Sequence, residues 1–392
     1  MSHPFWRNAF LLSDAAALHK LRQSPVTEVW IDPARGKDIP PGVPCVVWDP
    51  SKQATAPTDP IPAAAPSTLP LDKTPQALGK ELHNAIELCQ QSRDAVLNMF
   101  AEARMGKALN MATANTLVDE ITSSVTRNPH ALLSVARLKT ADNYTYMHSV
   151  AVSGLMVALA NRMGMDELFV RQAAMAGLLH DLGKAKMDPA ILNKPGKLTD
   201  EEFAHMQAHP RASYDMLVQA EDMDDVVLDA CLHHHERIDG RGYPDRLMGE
   251  QIGILARMTA ICDVYDAITS NRPYKNGWPP AESLRRMAEW TNDHLDKRLF
   301  EIFVKTVGIY PVGSLVRLKS GKLGVVSELS AKSLITPRVV VFYCTQSQRL
   351  LSPQLLDLSH HREERIVQQE DPGNWPFTNI DSLWQKGAAA TA

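Results

Sequence analysis

The chain has 392 residues, of which 44% are hydrophobic and 22% are charged, and these ordinary globular values predict a sizeable buried core. Its formal net charge of -4, from 41 basic and 45 acidic residues, excludes a general electrostatic attraction to nucleic acid or to membranes. An anionic ligand must therefore be held by a local cluster of cations or metals.

The five cysteines are scattered and include no CxxC pair, which argues against a disulfide framework and against a thiolate metal site. The N-terminus shows no signal peptide. The longest apolar run, Ala151 to Ala160, covers only about half of a membrane span. A cytoplasmic protein without a membrane span is expected.

The first 50 residues are predicted to form a small α/β module. Ser13 is suited to cap a short helix, and short strands are predicted at residues 26–31 and 45–48. These elements are too few for a convincing independent core. Residues 51–75 contain six prolines among alanine and threonine, so they are predicted to form an extended linker.

Residues 76–308 show helical periodicity and are predicted to form a helical bundle. The first apolar positions at helical spacing are Leu78, Leu82, Ile86, Cys89, Leu97 and Phe100. Further along, Thr199 and Glu202 form a capping box, which predicts a helix that carries Phe203, Met206 and His209.

Strand signals return only after Pro311, at residues 315–318, 324–329 and 338–344. They predict a short β-rich appendage within residues 309–392. The predicted fold is therefore mainly α: a helical bundle with a small α/β N-terminal module and a short β-rich C-terminal appendage.

Histidine and aspartate residues recur along the predicted bundle about once per helix. The series is His148, His180-Asp181, His209, His234-His235 and Asp263, separated by 32, 28, 25 and 28 residues. Each residue alone is weak evidence, because a lone histidine is more often a core or capping residue. Their joint order on consecutive helices favours one metal centre, to which each helix contributes a ligand. Imidazole and carboxylate ligands without thiolate suit Fe, Mn, Zn, Co or Ni.

The segment from Ile238 to Pro244 is predicted to be a loop, which we call the 238–244 loop. Its two glycines and its proline exclude a helix and permit a close approach of the backbone to a ligand. A purely structural turn is the alternative.

Several blocks of this sequence resemble the signatures of the HD-GYP family. They are HDLGK at His180–Lys184, HHERIDGRGYP at His234–Pro244 and DVYDAITSNRPYK at Asp263–Lys275. The segments Asp142–Val152 and Ala208–Leu217 are similar to the family's first and third histidine motifs. The resemblance covers roughly residues 130–308, in the right order. The N-terminal module resembles a small domain that often precedes such cores, and we expect a truncated form of it that begins after the domain's first strand.

The resemblance implies an HD-type helical bundle that holds two divalent transition metals bridged by Asp181, with Fe or Mn favoured and Zn, Co or Ni as further options. One metal would be bound by His148, His180 and Asp263, and the other by His209, His234 and His235. Some members hold a third metal with a glutamate four residues before the first histidine. Tyr144 stands at that position here, so two metals are expected, and His233 has no role in the pattern.

The function implied is hydrolysis of cyclic di-GMP to pGpG and/or GMP by a two-metal mechanism with a bridging hydroxide. Lys184 would sit beside the metals and would either neutralise developing charge or help the leaving oxygen. Gly242, Tyr243 and Pro244 would contact the substrate. Gly242 is expected to allow a backbone conformation that a Cβ would forbid. Arg272 and Lys275 are similar to the family's phosphate-binding pair, with a solvated helix end as the alternative.

Two other functions compete with this prediction. An HD phosphohydrolase for another nucleotide would share the metal ligands but should lack the 238–244 loop and the RPYK block, which are present here. A non-catalytic adaptor that senses cyclic di-GMP would usually lack some ligands, and none is missing. Protein partners are expected at the N-terminal module if anywhere, a homodimer is left open, and no nucleic-acid polymer is expected as a ligand.

Overall fold

The computed structural model describes residues 74–136, 144–220, 223–270, 277–330, 332–377, 380 and 383. The chain divides into two units, Met1–Leu69 and Pro70–Ala392, and the described residues belong to the second. The predicted α/β module and almost all of the predicted linker lie outside the described residues, so these two predictions remain untested.

The described part of residues 76–308 is built from α-helices, as predicted. In chain order they are α1 (Leu78–Arg104), α2 (Met111–Arg127), α3 (Pro129–Ala136), α4 (Tyr144–Arg162), α5 (Glu167–Leu179), α6 (Pro189–Leu192), α7 (Asp200–Met206), α8 (His209–Leu217), α9 (Asp225–His233), α10 (Ile254–Thr269), α11 (Pro280–Trp290) and α12 (Lys297–Val307). Short 3₁₀ turns occur at Leu182–Lys186, Gly249–Gln251 and Pro372–Asn374.

Helix α4 is the centre of the bundle. Every residue of the apolar run 151–160 is buried, because α1, α2, α3, α5, α10 and α12 all pack against this helix. The run is therefore apolar on all sides because it is a core helix. Among the described residues, no helix combines the length and the apolar character that a membrane span requires.

One apolar position of the predicted helices lies outside the core, and one predicted helix is in fact two helices. Leu97 is 43% exposed, and the buried positions of that part of α1 are Val96 and Met99. The capping box of Thr199 and Glu202 is confirmed at the start of α7. However, α7 ends at Met206, and His209 begins the separate helix α8. Pro210 explains the break, because it has no N–H to continue the hydrogen bonding of α7 and is favoured in the first turn of a new helix.

The C-terminal segment forms an antiparallel sheet of β1 (Leu315–Leu318), β2 (Lys322–Glu328), β3 (Arg338–Cys344), β4 (Arg349–Asp357) and β5 (Ile366–Gln369). The strand order is β4-β3-β2-β1-β5. The three predicted strands are confirmed, and two more flank them as edge strands. Leu315, Leu323, Val325 and Phe342 join the core of the helices, so one face of the sheet packs on the bundle.

Candidate metal centre

The predicted ligands come from five helices that meet around one point. Most of them lie where a helix begins or ends. His180 is the C-cap of α5 and Asp181 follows it, His209 is the first residue of α8, and His234 is the C-cap of α9. His148 and Asp263 project from within α4 and α10.

These residues form two adjacent groups. Within each group, the potential ligand atoms lie within 4.8 Å of one another. One group contains His148, His180 and Asp263, and the other contains Asp181, His209, His234 and His235. This division is the one that the family resemblance implies. His233, expected to have no role, belongs to neither group.

The Asp181 carboxylate lies between the two groups. Its Oδ2 atom is 3.4 Å from Nε2 of His148 and 3.4 Å from Nε2 of His180. Its Oδ1 atom is 3.2 Å from Nε2 of His209 and 3.8 Å from Nε2 of His234. Each oxygen therefore faces one group, which is the geometry needed for a carboxylate that bridges two cations.

Four of the histidine rings are oriented by a hydrogen bond from Nδ1. The acceptors are the backbone oxygens of Gly177 for His180 at 2.9 Å, of Met206 for His209 at 2.7 Å, and of Cys231 for His234 at 2.9 Å, and the Asp266 carboxylate for His148 at 2.7 Å. Because these oxygens can only accept, Nδ1 carries the proton and Nε2 faces the site. Metal-binding histidines are typically oriented in this way.

Unsatisfied polar atoms at the centre fit bound cations. Nε2 of His180 and Oδ1 of Asp181 are buried and form no hydrogen bond within the described part of the chain. In addition, Nε2 of His209 lies 3.3 Å from Nε2 of His234. Two lone pairs at this distance repel each other, and buried polar atoms without partners are costly. A cation between them would remove both penalties, and the nitrogen and oxygen donors suit a divalent transition metal.

The electrostatics keep His234, His235 and the two carboxylates in the states that bind metal. At His148, burial lowers the pKa, but hydrogen bonds to Asp181, Asp263 and Asp266 outweigh burial and hold the pKa well above its usual value, so a metal bound there would displace a proton. Burial and the neighbouring histidines hold the pKa of His234 well below its usual value, and burial, with His209, lowers the pKa of His235 to about 3. Both rings are therefore neutral at neutral pH. Burial alone would raise the pKa of Asp181 and of Asp263. Lys184 and His180 at Asp181, and His148 at Asp263, instead hold the pKa of each carboxylate well below its usual value.

Gly183 allows the HD turn to pack against α8. A Cβ at Gly183 would overlap the carbonyl oxygen of His209 and lie 2.5 Å from the amide nitrogen of Ser213. The Ser213 hydroxyl accepts a hydrogen bond from the Gly183 amide at 2.7 Å and donates one to the His180 carbonyl at 2.9 Å. The glycine of HDLGK therefore brings His180 and Asp181 close to His209.

Some of the predicted catalytic and substrate-binding residues lie among the residues that the structure describes, and two do not. Lys184 forms a close ion pair with Oδ2 of Asp181. The Tyr243 ring stacks on His235, with ring centroids 4.8 Å apart and an interplanar angle of 26°. Burial raises the pKa of Tyr243, so its hydroxyl remains a hydrogen-bond donor. Arg272 and Lys275 lie outside the described residues.

Gly242 is needed for a reason that differs from the expected one. Its φ angle is not in the left-handed region, unlike that of Gly240 at 75°. A Cβ at Gly242 would instead overlap the amide nitrogen of Arg237 and lie 2.5 Å from Cα of Glu236. The 238–244 loop therefore folds back directly onto the backbone that follows His234 and His235.

Sequence reasoning missed three residues that hold this arrangement. Asp266 orients His148, as described above. Glu236 is buried and accepts a hydrogen bond from the Asp245 amide at 2.7 Å. His233 contacts Asp229 at 2.7 Å and Asp245 at 3.0 Å, so it ties the residue after the 238–244 loop to α9. A signal was available only for Asp266, which lies three residues after Asp263 on the same helical face.

Two protein-family models match this chain, one in its N-terminal part and one in its helical bundle. A family model described as an HD domain matches residues 122–299, and a model described as a domain of unknown function (DUF3391) matches residues 1–114. The second match extends across the predicted linker into α2.

Three relatives are similar to this chain over different shares of its length. A Pseudomonas aeruginosa protein named as a cyclic di-GMP phosphodiesterase is 51% identical over 100% of this chain and 92% of its own length. A cyclic di-GMP phosphodiesterase response regulator of Xanthomonas campestris is 34% identical over 52% of each chain. A 3'3'-cGAMP-specific phosphodiesterase of Vibrio cholerae is 34% identical over 45% of this chain and 41% of its own. The similarity along the whole chain, together with the HD-domain match, shows that this protein belongs to the HD-GYP family.

Proposed function

We propose that this protein is a metal-dependent phosphodiesterase that hydrolyses cyclic di-GMP to pGpG and/or GMP. The observation that carries the proposal is the pair of adjacent ligand groups that share Asp181, with Tyr243 of the 238–244 loop stacked on one ligand. The name of the Pseudomonas relative, which is similar along the full length of this chain, supports the same substrate.

The residues have separate roles in this proposal. His148, His180 and Asp263 would hold one divalent transition metal, His209, His234 and His235 would hold the other, and Asp181 would contact both. Such a pair supplies Lewis acidity and a nucleophile at neutral pH when it is bound. Lys184, next to Asp181, places a positive charge where negative charge develops on the phosphate.

The 238–244 loop forms one wall of the substrate site in this proposal. The Tyr243 ring covers His235 and presents a protonated hydroxyl, so it is placed to contact a ligand that reaches the metals. Arg272 and Lys275 are retained as proposed phosphate contacts on the basis of the sequence alone.

The test is an anaerobic assay of the full chain loaded with Fe(II) or Mn(II). Cyclic di-GMP is the substrate, and the products are separated by chromatography. We expect pGpG, GMP or both, and loss of the products when the metals are removed with a chelator. Absence of hydrolysis in a fully metal-loaded protein would contradict the proposal.

A second cyclic dinucleotide belongs in the same assay. The Vibrio relative is named for 3'3'-cGAMP, and it is 34% identical over 45% of this chain. Comparison of kcat/KM for the two substrates decides between them. The adaptor alternative is tested by a pull-down with the Asp181→Ala variant, because a scaffold retains its partners without hydrolysis.

A further inference from the structure

A cavity of about 590 Å³ opens beside the metal centre. Ala204, Gln207 and Ala208 line one side, around the junction of α7 and α8. Residues 240–244 and Arg246 line the other side. None of the seven proposed metal ligands lines it. The volume falls within the range of roughly 300–1,000 Å³ that is typical of pockets for small organic ligands.

Tyr243 connects this cavity to the metal centre. Tyr243 is one of the residues that line the cavity, and its ring stacks on His235. A ligand whose reacting group lies at the metals can therefore extend past Tyr243 into the cavity without leaving the surface of the protein.

Two arginines give the rim of the cavity a positive charge. The nearby carboxylates are already paired with other residues. Asp239 accepts hydrogen bonds from Arg237 at 3.0 and 2.6 Å, and Asp245 contacts Arg211 at 3.1 Å and His233 at 3.0 Å.

The rim arginines themselves are weakly paired. The Arg241 side chain is 82% exposed, and its Nε atom approaches Asp239 only to 4.0 Å. Arg246 is exposed and has no ion pair with any described residue. Both guanidinium groups are therefore available to an anionic ligand.

The backbone conformation of Arg246 also indicates a binding role for this residue. Its φ angle is 58°, in the left-handed region where a side chain with a Cβ is disfavoured and glycine is not. The Arg246 side chain is exposed, so its packing does not explain why an arginine and not a glycine occupies this position. An unfavourable backbone conformation beside a binding site is often a functional feature.

We propose that this cavity binds the second guanylate of a cyclic dinucleotide, with Arg241 and Arg246 contacting the phosphate that is not being hydrolysed. The inference rests on the proposed function. A cyclic dinucleotide has two phosphodiester groups in one ring, so when one lies at the metals the other must lie outside them. The cavity next to Tyr243 offers that second phosphate two cations and offers the base a pocket.

The test compares Arg241→Ala, Arg246→Gly and a matched control, Arg362→Ala, in the metal-loaded full chain. Arg246→Gly removes the guanidinium but suits the backbone conformation, so loss of folding does not confuse the result. Arg362 is exposed in a turn of the C-terminal sheet segment, and its replacement makes the same change in net charge.

We expect each rim variant to raise KM for cyclic di-GMP about five- to tenfold with little change in kcat, because an exposed arginine binds phosphate equally in the ground and transition states. Selectivity, measured as the ratio of kcat/KM for cyclic di-GMP to that for bis-p-nitrophenyl phosphate, should fall by a similar factor. The small diester has one phosphate and no second guanylate. Arg362→Ala should leave both quantities as in the unmodified protein.

The outcomes separate the two proposals. If the unmodified protein hydrolyses cyclic di-GMP and both rim variants keep its KM and selectivity, the cavity is not a subsite and the proposed function stands. If the protein binds cyclic di-GMP without hydrolysis, the dissociation constant from calorimetry replaces KM in the same comparison. If it neither hydrolyses nor binds cyclic di-GMP, both proposals are wrong.

Discussion

Replacement of Asp266 by asparagine tests whether the metal centre depends on the carboxylate behind His148. Oδ2 of Asp266 accepts the hydrogen bond from Nδ1 of His148 at 2.7 Å, and only 3% of His148 and 4% of Asp266 are exposed. Asparagine has the same shape and retains one acceptor oxygen, but it removes the negative charge that makes the imidazole a stronger ligand.

The magnitude follows from this geometry. Loss of a partner behind a ligand typically weakens metal affinity or activity by about 10- to 100-fold, which corresponds to about 1.4–2.7 kcal/mol. We expect the lower end of that range, because the asparagine oxygen can still accept the bond. A buried donor is therefore not left without a partner.

The assay is a titration of the metal-stripped protein with Mn(II) against a chromogenic chelator, with hydrolysis followed as a function of free Mn(II). Asp94→Asn is the matched control, since Asp94 is exposed on α1 and its replacement makes the same change in charge. Unchanged Mn(II) affinity and activity in Asp266→Asn would refute the reasoning. A similar loss in both variants would show that net charge, and not the contact with His148, is responsible.

Four other outcomes are expected. Asp181→Ala should abolish hydrolysis, because it removes the carboxylate that faces both groups; measurable turnover with normal circular dichroism would contradict this. Elemental analysis should find about two metals per chain, since Tyr144 replaces the carboxylate of a third site, and three in a fully loaded protein would overturn the count. Arg272→Ala should raise KM for cyclic di-GMP, whereas a fall in kcat alone would show that it does not act in binding. Gly242→Val should lower metal content and hydrolysis of cyclic di-GMP and bis-p-nitrophenyl phosphate alike, because its Cβ meets the backbone of Glu236 and Arg237; intact metal content would contradict this.

The residues that form the two candidate ligand groups could be picked out from the sequence because their chemistry is rare in a helical core. Histidine and aspartate on apolar helical faces are costly unless they are bound, so their order along the chain carries information. The residues that support the proposed ligands were harder to predict from the sequence. His233 and Glu236 act through Asp245, and only the fold of the 238–244 loop brings these residues together.

The strands and the buried helix position that the sequence analysis missed can also be explained physically. Strand β4 is largely exposed and contains Pro353, so it shows neither the alternation nor the composition of a buried strand. Strand β5 has only four residues. Val96 and Leu97 are adjacent apolar residues of α1. Only the packing of the helix against its neighbours determines that Val96 is the buried one.

Glycines and arginines near the centre contribute to function in different ways. Gly183 and Gly242 belong to the family motifs, and a Cβ at either position would collide with backbone beside a proposed metal ligand. These glycines therefore allow the segments around the metals to approach one another, and their replacement should disturb metal binding before it disturbs substrate selectivity. Arg241 and Arg246 have exposed side chains that contact no metal ligand, so their replacement should have the opposite effect. In our proposal, the motif glycines allow the metal centre to form, and Arg241 and Arg246 influence which phosphodiester it accepts.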